Sequence, residues 1–108
     1  MQTDFGFSYK KSTQAINFFA NKCNGTIDKV KALKLIYFSD RYHLRKYGRT
    51  ITNDEYYAMN YGPVASGTKD ILEISSFLDE DEKSYAINYL EPIPDSPLIK
   101  SKGKKNTR

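Results

Sequence analysis

The sequence predicts a single, helix-dominated α+β domain. Three observations point there. Apolar residues recur at helical spacing in two stretches, around residues 15–23 and 33–47. From residue 49 onward, β-favouring residues and turn signals replace that period. The length of 108 residues, with nine Tyr and six Phe, suits one domain with one modest core. The expected architecture is about three helices around a central helix at residues 28–47. A small antiparallel hairpin at 49–61 and a further strand at 84–90 complete it.

The first helix is expected to start at Ser12 or Thr13, whose hydroxyls can accept from the unpaired amides of a first turn. Ala15, Ile16, Phe19, Ala20 and Cys23 follow on one face, and Asn24-Gly25 stops the run. Cys23 reads as part of that apolar stripe. The second helix is capped by Asp28, runs to Tyr47 and stops at Gly48. Leu33, Leu35, Ile36, Tyr37 and Phe38 make its middle apolar around more than half its circumference, so other elements should enclose it.

Thr50-Ile51-Thr52 and the run from Tyr56 to Tyr61 read as two strands about an Asn53-Asp54 turn. Gly62-Pro63 is expected to break the ladder, because proline offers no amide hydrogen. A third helix is read at residues 68–78, capped by Ser66 or Thr68, with Asp70 and Glu73 in its first turns. Residues 79–82 read as a solvated acidic connector. Tyr85, Ile87 and Tyr89 alternate with Ala86, Asn88 and Leu90 as in a strand. Pro92, Pro94 and Pro97 close the domain at residue 99, and 100–108 reads as a disordered basic tail.

Counting excludes several classes. One cysteine and one histidine can build neither an internal disulfide nor a four-ligand Cys/His zinc site, and no cofactor site is expected. The longest apolar runs reach about four residues against the ~20 of a membrane span. No apolar leader opens the chain, which leaves the cytoplasm as the default location. The net charge of +4 invites a nucleic-acid partner, yet residues 100–108 hold five of the 17 basic residues and no acid. The remainder carries 12 basic against 13 acidic residues, a net charge of −1. Basic character belongs to the tail.

The densest polar set falls on the second helix: Lys34, Asp40, Arg41, His43 and Arg45. At 100° per residue, Lys34, Phe38, Arg41 and Arg45 form one stripe about 60° wide. Asp40 shares its face with Leu33, Ile36, Leu44 and Tyr47. A charged carboxylate there costs several kcal/mol unless hydrogen-bonded. It should therefore accept from the hairpin backbone, a tyrosine hydroxyl or Arg49. Asp40 and His43 stand three apart, as an acid–base pair on a helix can. No nucleophile, paired carboxylates or phosphate-cradling glycine loop accompanies them, and structural roles are favoured.

Two stretches in order, KALKLIYFSDRYHLRKYGR at residues 31–49 and DEYYAMNYGPVASG at 54–67, resemble the Panacea antitoxin domain of the SocA-like family. The resemblance falls on Lys34, Leu35, Ile36, Tyr37, Asp40, His43, Leu44, Gly48, Ala58, Tyr61, Gly62, Pro63 and Val64, and extends over roughly residues 12–95. It implies a non-enzymatic protein of a bacterial or phage toxin–antitoxin system that neutralises a cognate toxin by direct binding. Inhibition would come from masking or distorting the toxin or from delivering it to a protease. Family members typically continue into further helices; if those normally cover the core, apolar surface here is left for a partner or a homodimer.

Arg45, Tyr56, Tyr57 and Tyr61 are the candidate partner contacts, since tyrosine and arginine dominate interface hot spots. Lys34, Tyr37, Asp40, His43, Gly48, Gly62, Pro63 and Val64 read as structural members of the family motif. Two rival readings stand beside this one. One is a nucleic-acid-binding regulator using the helix stripe and the basic tail. The other is a prophage protein of the same fold whose partner is a host factor.

Overall fold

Ser8, rather than Ser12 or Thr13, opens the first helix, α1 (Tyr9–Lys22), accepting the Lys11 amide on its side chain. Ser12 and Thr13 are fully buried on the inner face of that helix, where the Ser12 hydroxyl meets the Thr68 hydroxyl at 2.7 Å. The helix ends at Cys23, followed by Asn24 and Gly25 with positive φ. The computed structural model describes residues 7–60 and 62–103. Four helices and two small antiparallel sheets make up this α+β domain.

Strand β1 (Thr26–Asp28) leads directly into α2 (Lys29–Tyr47). The Asp28 carboxylate accepts from the Val30 and Lys31 amides, and Gly48 closes the helix with φ +84°, a conformation that costs glycine little. Both ends lie where the sequence placed them. The expectation that other elements enclose α2 holds only for its first half. Ala32, Leu33, Ile36 and Asp40 are buried, but Leu44 and Tyr47, on the same face, are exposed. The helix runs past the body, and α1 packs more extensively against the other helices than α2 does.

The hairpin is displaced from residues 49–61. It consists of β2 (Tyr56–Met59) and β3 (Gly62–Ala65), paired antiparallel from Tyr56 opposite Ala65 to Met59 opposite Gly62. Thr50 to Thr52 is not a strand; it folds back onto α2. Gly62-Pro63 starts a strand instead of ending one. In a two-stranded sheet both strands are edges, so the missing proline amide can face outward without breaking the ladder.

Helix α3 (Ser66–Glu73) is shorter than the expected 68–78, because Ile74 turns left-handed at φ 46° and the Ser75 amide bonds back to the Asp70 carbonyl. The predicted strand at 84–90 is helix α4 (Glu80–Tyr89). Its cause is a capping box: Asp79 accepts the Glu82 amide at 2.8 Å while Glu82 accepts the Asp79 amide at 3.0 Å. The supposed acidic connector is thus the cap and first turn of a helix.

The proline-rich end is also ordered into strands, β4 (Leu90–Pro92) and β5 (Leu98–Ser101). Strand β5 lies between β1 and β4, so Lys100 and Ser101 belong to the sheet rather than to a tail. The domain boundary expected at residue 99 therefore falls inside a strand, and residues 104–108 of the expected tail lie outside the described residues. Ile16, Ile27, Leu33, Ile36, Val64, Ile71, Leu72, Ala86, Leu90 and Ile99 bring every element but β2 into one core.

Candidate functional site

Asp40 is 2% exposed, and its carboxylate is saturated with donors. Oδ1 accepts the Ile51 and Thr52 amides at 2.9 and 3.2 Å; Oδ2 accepts the Thr52 and Tyr56 hydroxyls, both at 2.6 Å. Hairpin-flanking backbone and a tyrosine hydroxyl were among the expected donors; Arg49 contributes through its carbonyl, to a different residue. His43 Nδ1 lies 2.6 Å from the Arg49 carbonyl oxygen, and because a carbonyl only accepts, Nδ1 carries the proton. The Asp40 carboxylate and His43 Nδ1 both hold residues 49–52 against α2. That is the work of a brace, and it leaves Asp40 no free oxygen lone pair well placed for a substrate.

Tyr56 is consumed by the same brace. Its ring meets Tyr37 edge-on at 5.6 Å, and partial burial, followed by the bond to Asp40, pushes its ionisation far above the usual value of 10.0. Asp54, read from sequence only as a turn residue, caps α3 from a distance. Its carboxylate accepts the Gly67 and Thr68 amides at 2.9 and 2.8 Å and the Thr68 hydroxyl at 2.9 Å. A helix start without its own side-chain cap at Ala65 was the signal that such a group had to come from elsewhere.

The second half of α2 is built differently. Phe38, Arg41, Tyr42, Arg45 and Lys46 line an open groove of ≈ 560 Å³ on the side of the helix opposite its core residues. Phe38, Tyr42 and Tyr47 are each 62% exposed and Leu44 47%. Lys46 donates to the Tyr42 hydroxyl at 3.2 Å and sits over its ring; Arg41 does the same to Tyr37. Arg45 joins this group rather than the hairpin tyrosines. Tyr42 and Lys46 were not singled out in the sequence, although their spacing of four beside Phe38 and Arg45 was the available sign.

The profile of the family described as antitoxin SocA-like, Panacea domain, matches residues 33–106 of the 108-residue chain. The chain belongs to the SocA-like Panacea antitoxin family. Comparison with curated proteins and with solved structures returned no match. The matched segment of the Panacea domain opens inside α2 and takes in everything after it, whereas α1, which precedes it, supplies Ile16 and Ala20 to the same core.

On the Panacea domain the motif residues fall into distinct places. Asp40, His43 and Tyr37 form the brace just described, Gly48 closes α2, and Gly62, at φ +113°, opens β3. Val64 is buried, Pro63 is exposed beside it, and Lys34 stands exposed on the outer face of α2. Tyr57 is 55% exposed on β2, its hydroxyl donating to Glu55 at 3.2 Å. Tyr61 lies outside the described residues. Among the described residues, no group of histidines, cysteines or carboxylates could hold a metal, and no helix is long and apolar enough to cross a membrane.

Proposed function

We propose that this Panacea domain is the antitoxin of a toxin–antitoxin pair and acts without catalysis, by binding its cognate toxin directly in the cytoplasm. The family match over residues 33–106 carries this reading. Supporting it, the two residues most suggestive of an acid–base pair are occupied in bracing the loop after α2. Arg45 and Tyr57 are the contact residues in this reading, each exposed and on a rigid element. Tyr56, the third candidate contact, ties the hairpin to α2 through Asp40, and Tyr61, the fourth, lies outside the described residues.

The product of the adjacent reading frame is the toxin to test. Co-expression should restore growth of cells producing it, and the two proteins should co-purify through gel filtration. A toxin that kills equally well with and without this chain, and never co-elutes with it, removes the proposal.

A further inference from the structure

α2 carries six cations: Lys29, Lys31, Lys34, Arg41, Arg45 and Lys46. Its only carboxylate is Asp40, which is buried and fully engaged. Among the described residues the one ion pair is Lys69 with Glu73 on α3, so no carboxylate neutralises the outer face of α2. Among the described residues, five of the ten exposed large apolar or aromatic side chains also lie on this helix. A positive face with no paired carboxylate and exposed rings along its middle is the kind of patch that marks a contact site.

Each alternative occupant meets a physical objection. Two copies of this face brought together would set cations against cations. A bare polyanion would pair with Arg41, Arg45 and Lys46 but would leave the exposed rings of Phe38 and Tyr42 between them without an apolar partner. We infer that the second half of α2 docks an acidic amphipathic helix of the partner protein. The partner's apolar side chains would lie along Phe38 and Tyr42, and its carboxylates would flank them on Arg41, Arg45 and Lys46. Phe38, Tyr42 and Arg45 stand at i, i+4 and i+7, the spacing with which one helix receives another. The inference deepens the antitoxin reading and rests on it for the partner's identity, while the chemistry of the surface is testable alone.

The test uses the full chain and a fluorescently labelled helical peptide with leucines along one face and glutamates flanking them. The peptide should bind the wild type, and its counterpart with lysine for glutamate should not. The double charge reversal Arg41→Glu/Arg45→Glu should weaken binding ~10-fold or more, since two attractive pairs become repulsive. The pair Phe38→Ala/Tyr42→Ala should weaken it comparably while leaving the circular dichroism spectrum unchanged. An acidic peptide that fails to bind, or that binds either variant as well as wild type, overturns the inference. So does tighter, arginine-dependent binding of oligothymidine, or self-association that the charge reversal abolishes, which would seat the exposed Phe77 and the acidic residues after it from a second copy. In cells, neutralisation by wild type and by the charge-reversed chain alike would place the toxin elsewhere and leave the antitoxin reading intact. Loss of neutralisation by wild type itself removes that reading without touching the peptide result.

Discussion

Tyr56 donates a hydrogen bond from its hydroxyl to a carboxylate that already accepts from three other donors. Removing the hydroxyl proton would bring two negative charges within hydrogen-bond distance in a half-buried site, which is why the hydroxyl stays protonated well above its usual range. The unfolded chain has no such restraint and releases the proton near pH 10.0. Stability from this bond is therefore complete below about pH 10 and declines as pH rises beyond it. Tyr56→Phe should cost about 1.5–3 kcal/mol at neutral pH, the range for a hydrogen bond to a charged group. It should also flatten, though not erase, the alkaline decline, since burial raises Tyr85 as well. Urea midpoints at a series of alkaline pH values check both effects, and parallel declines in the two proteins would contradict the second. The placement of Asp40 was legible because a carboxylate on an apolar face demands donors. Its donors could be guessed only by class, since they depend on how residues 50–56 fold back.

Local grammar decided the elements whose signals sit at their own ends. Asp28 and Gly48 fix α2 from within a single stretch of sequence. For α4 two signals competed. Tyr85, Ile87 and Tyr89 alternate like a strand, but Asp79 and Glu82 form a reciprocal cap, and Tyr85 and Tyr89 stack one helical turn apart at 5.1 Å. Tyr85 then reaches α1, taking a hydrogen bond from Gln14 at 3.0 Å and packing edge-on against Tyr9. Asp79→Ala removes one half of the box and should lower stability by about 0.5–2 kcal/mol, read as a shift in thermal midpoint with the helical signal retained below it. A midpoint unmoved by the substitution would mean that packing on α1 alone specifies this helix. Strands β1, β4 and β5 left little trace in the sequence, because three or four residues are too few to show a period and their pairing partners are far along the chain.

For the molecule as a whole, the charge balance acquires a different meaning once Lys100 and Ser101 are placed. Ser101 donates to the Asn17 side chain of α1 at 2.6 Å in a buried site, and its amide bonds to the Gly25 carbonyl. A chain cut before Lys100 loses these bonds and half of the central strand. It should unfold at a lower temperature or fail to fold, measured by calorimetry against the full chain. An unchanged midpoint would show β5 to be dispensable. The same cut cannot serve as a clean test of nucleic-acid binding by the basic end, since it removes structure together with charge. A basic end can thus keep its charge on the surface while its backbone is part of the fold.

Strand β5 is made late but sits in the middle of its sheet, with β1 from near the start of the chain on one side and β4 on the other. Until the ribosome has delivered residue 101, β1 and β4 have nothing to pair with, and the first helix lacks one of its buried partners. Both ladders of this sheet depend on the one strand that the chain delivers last among the three.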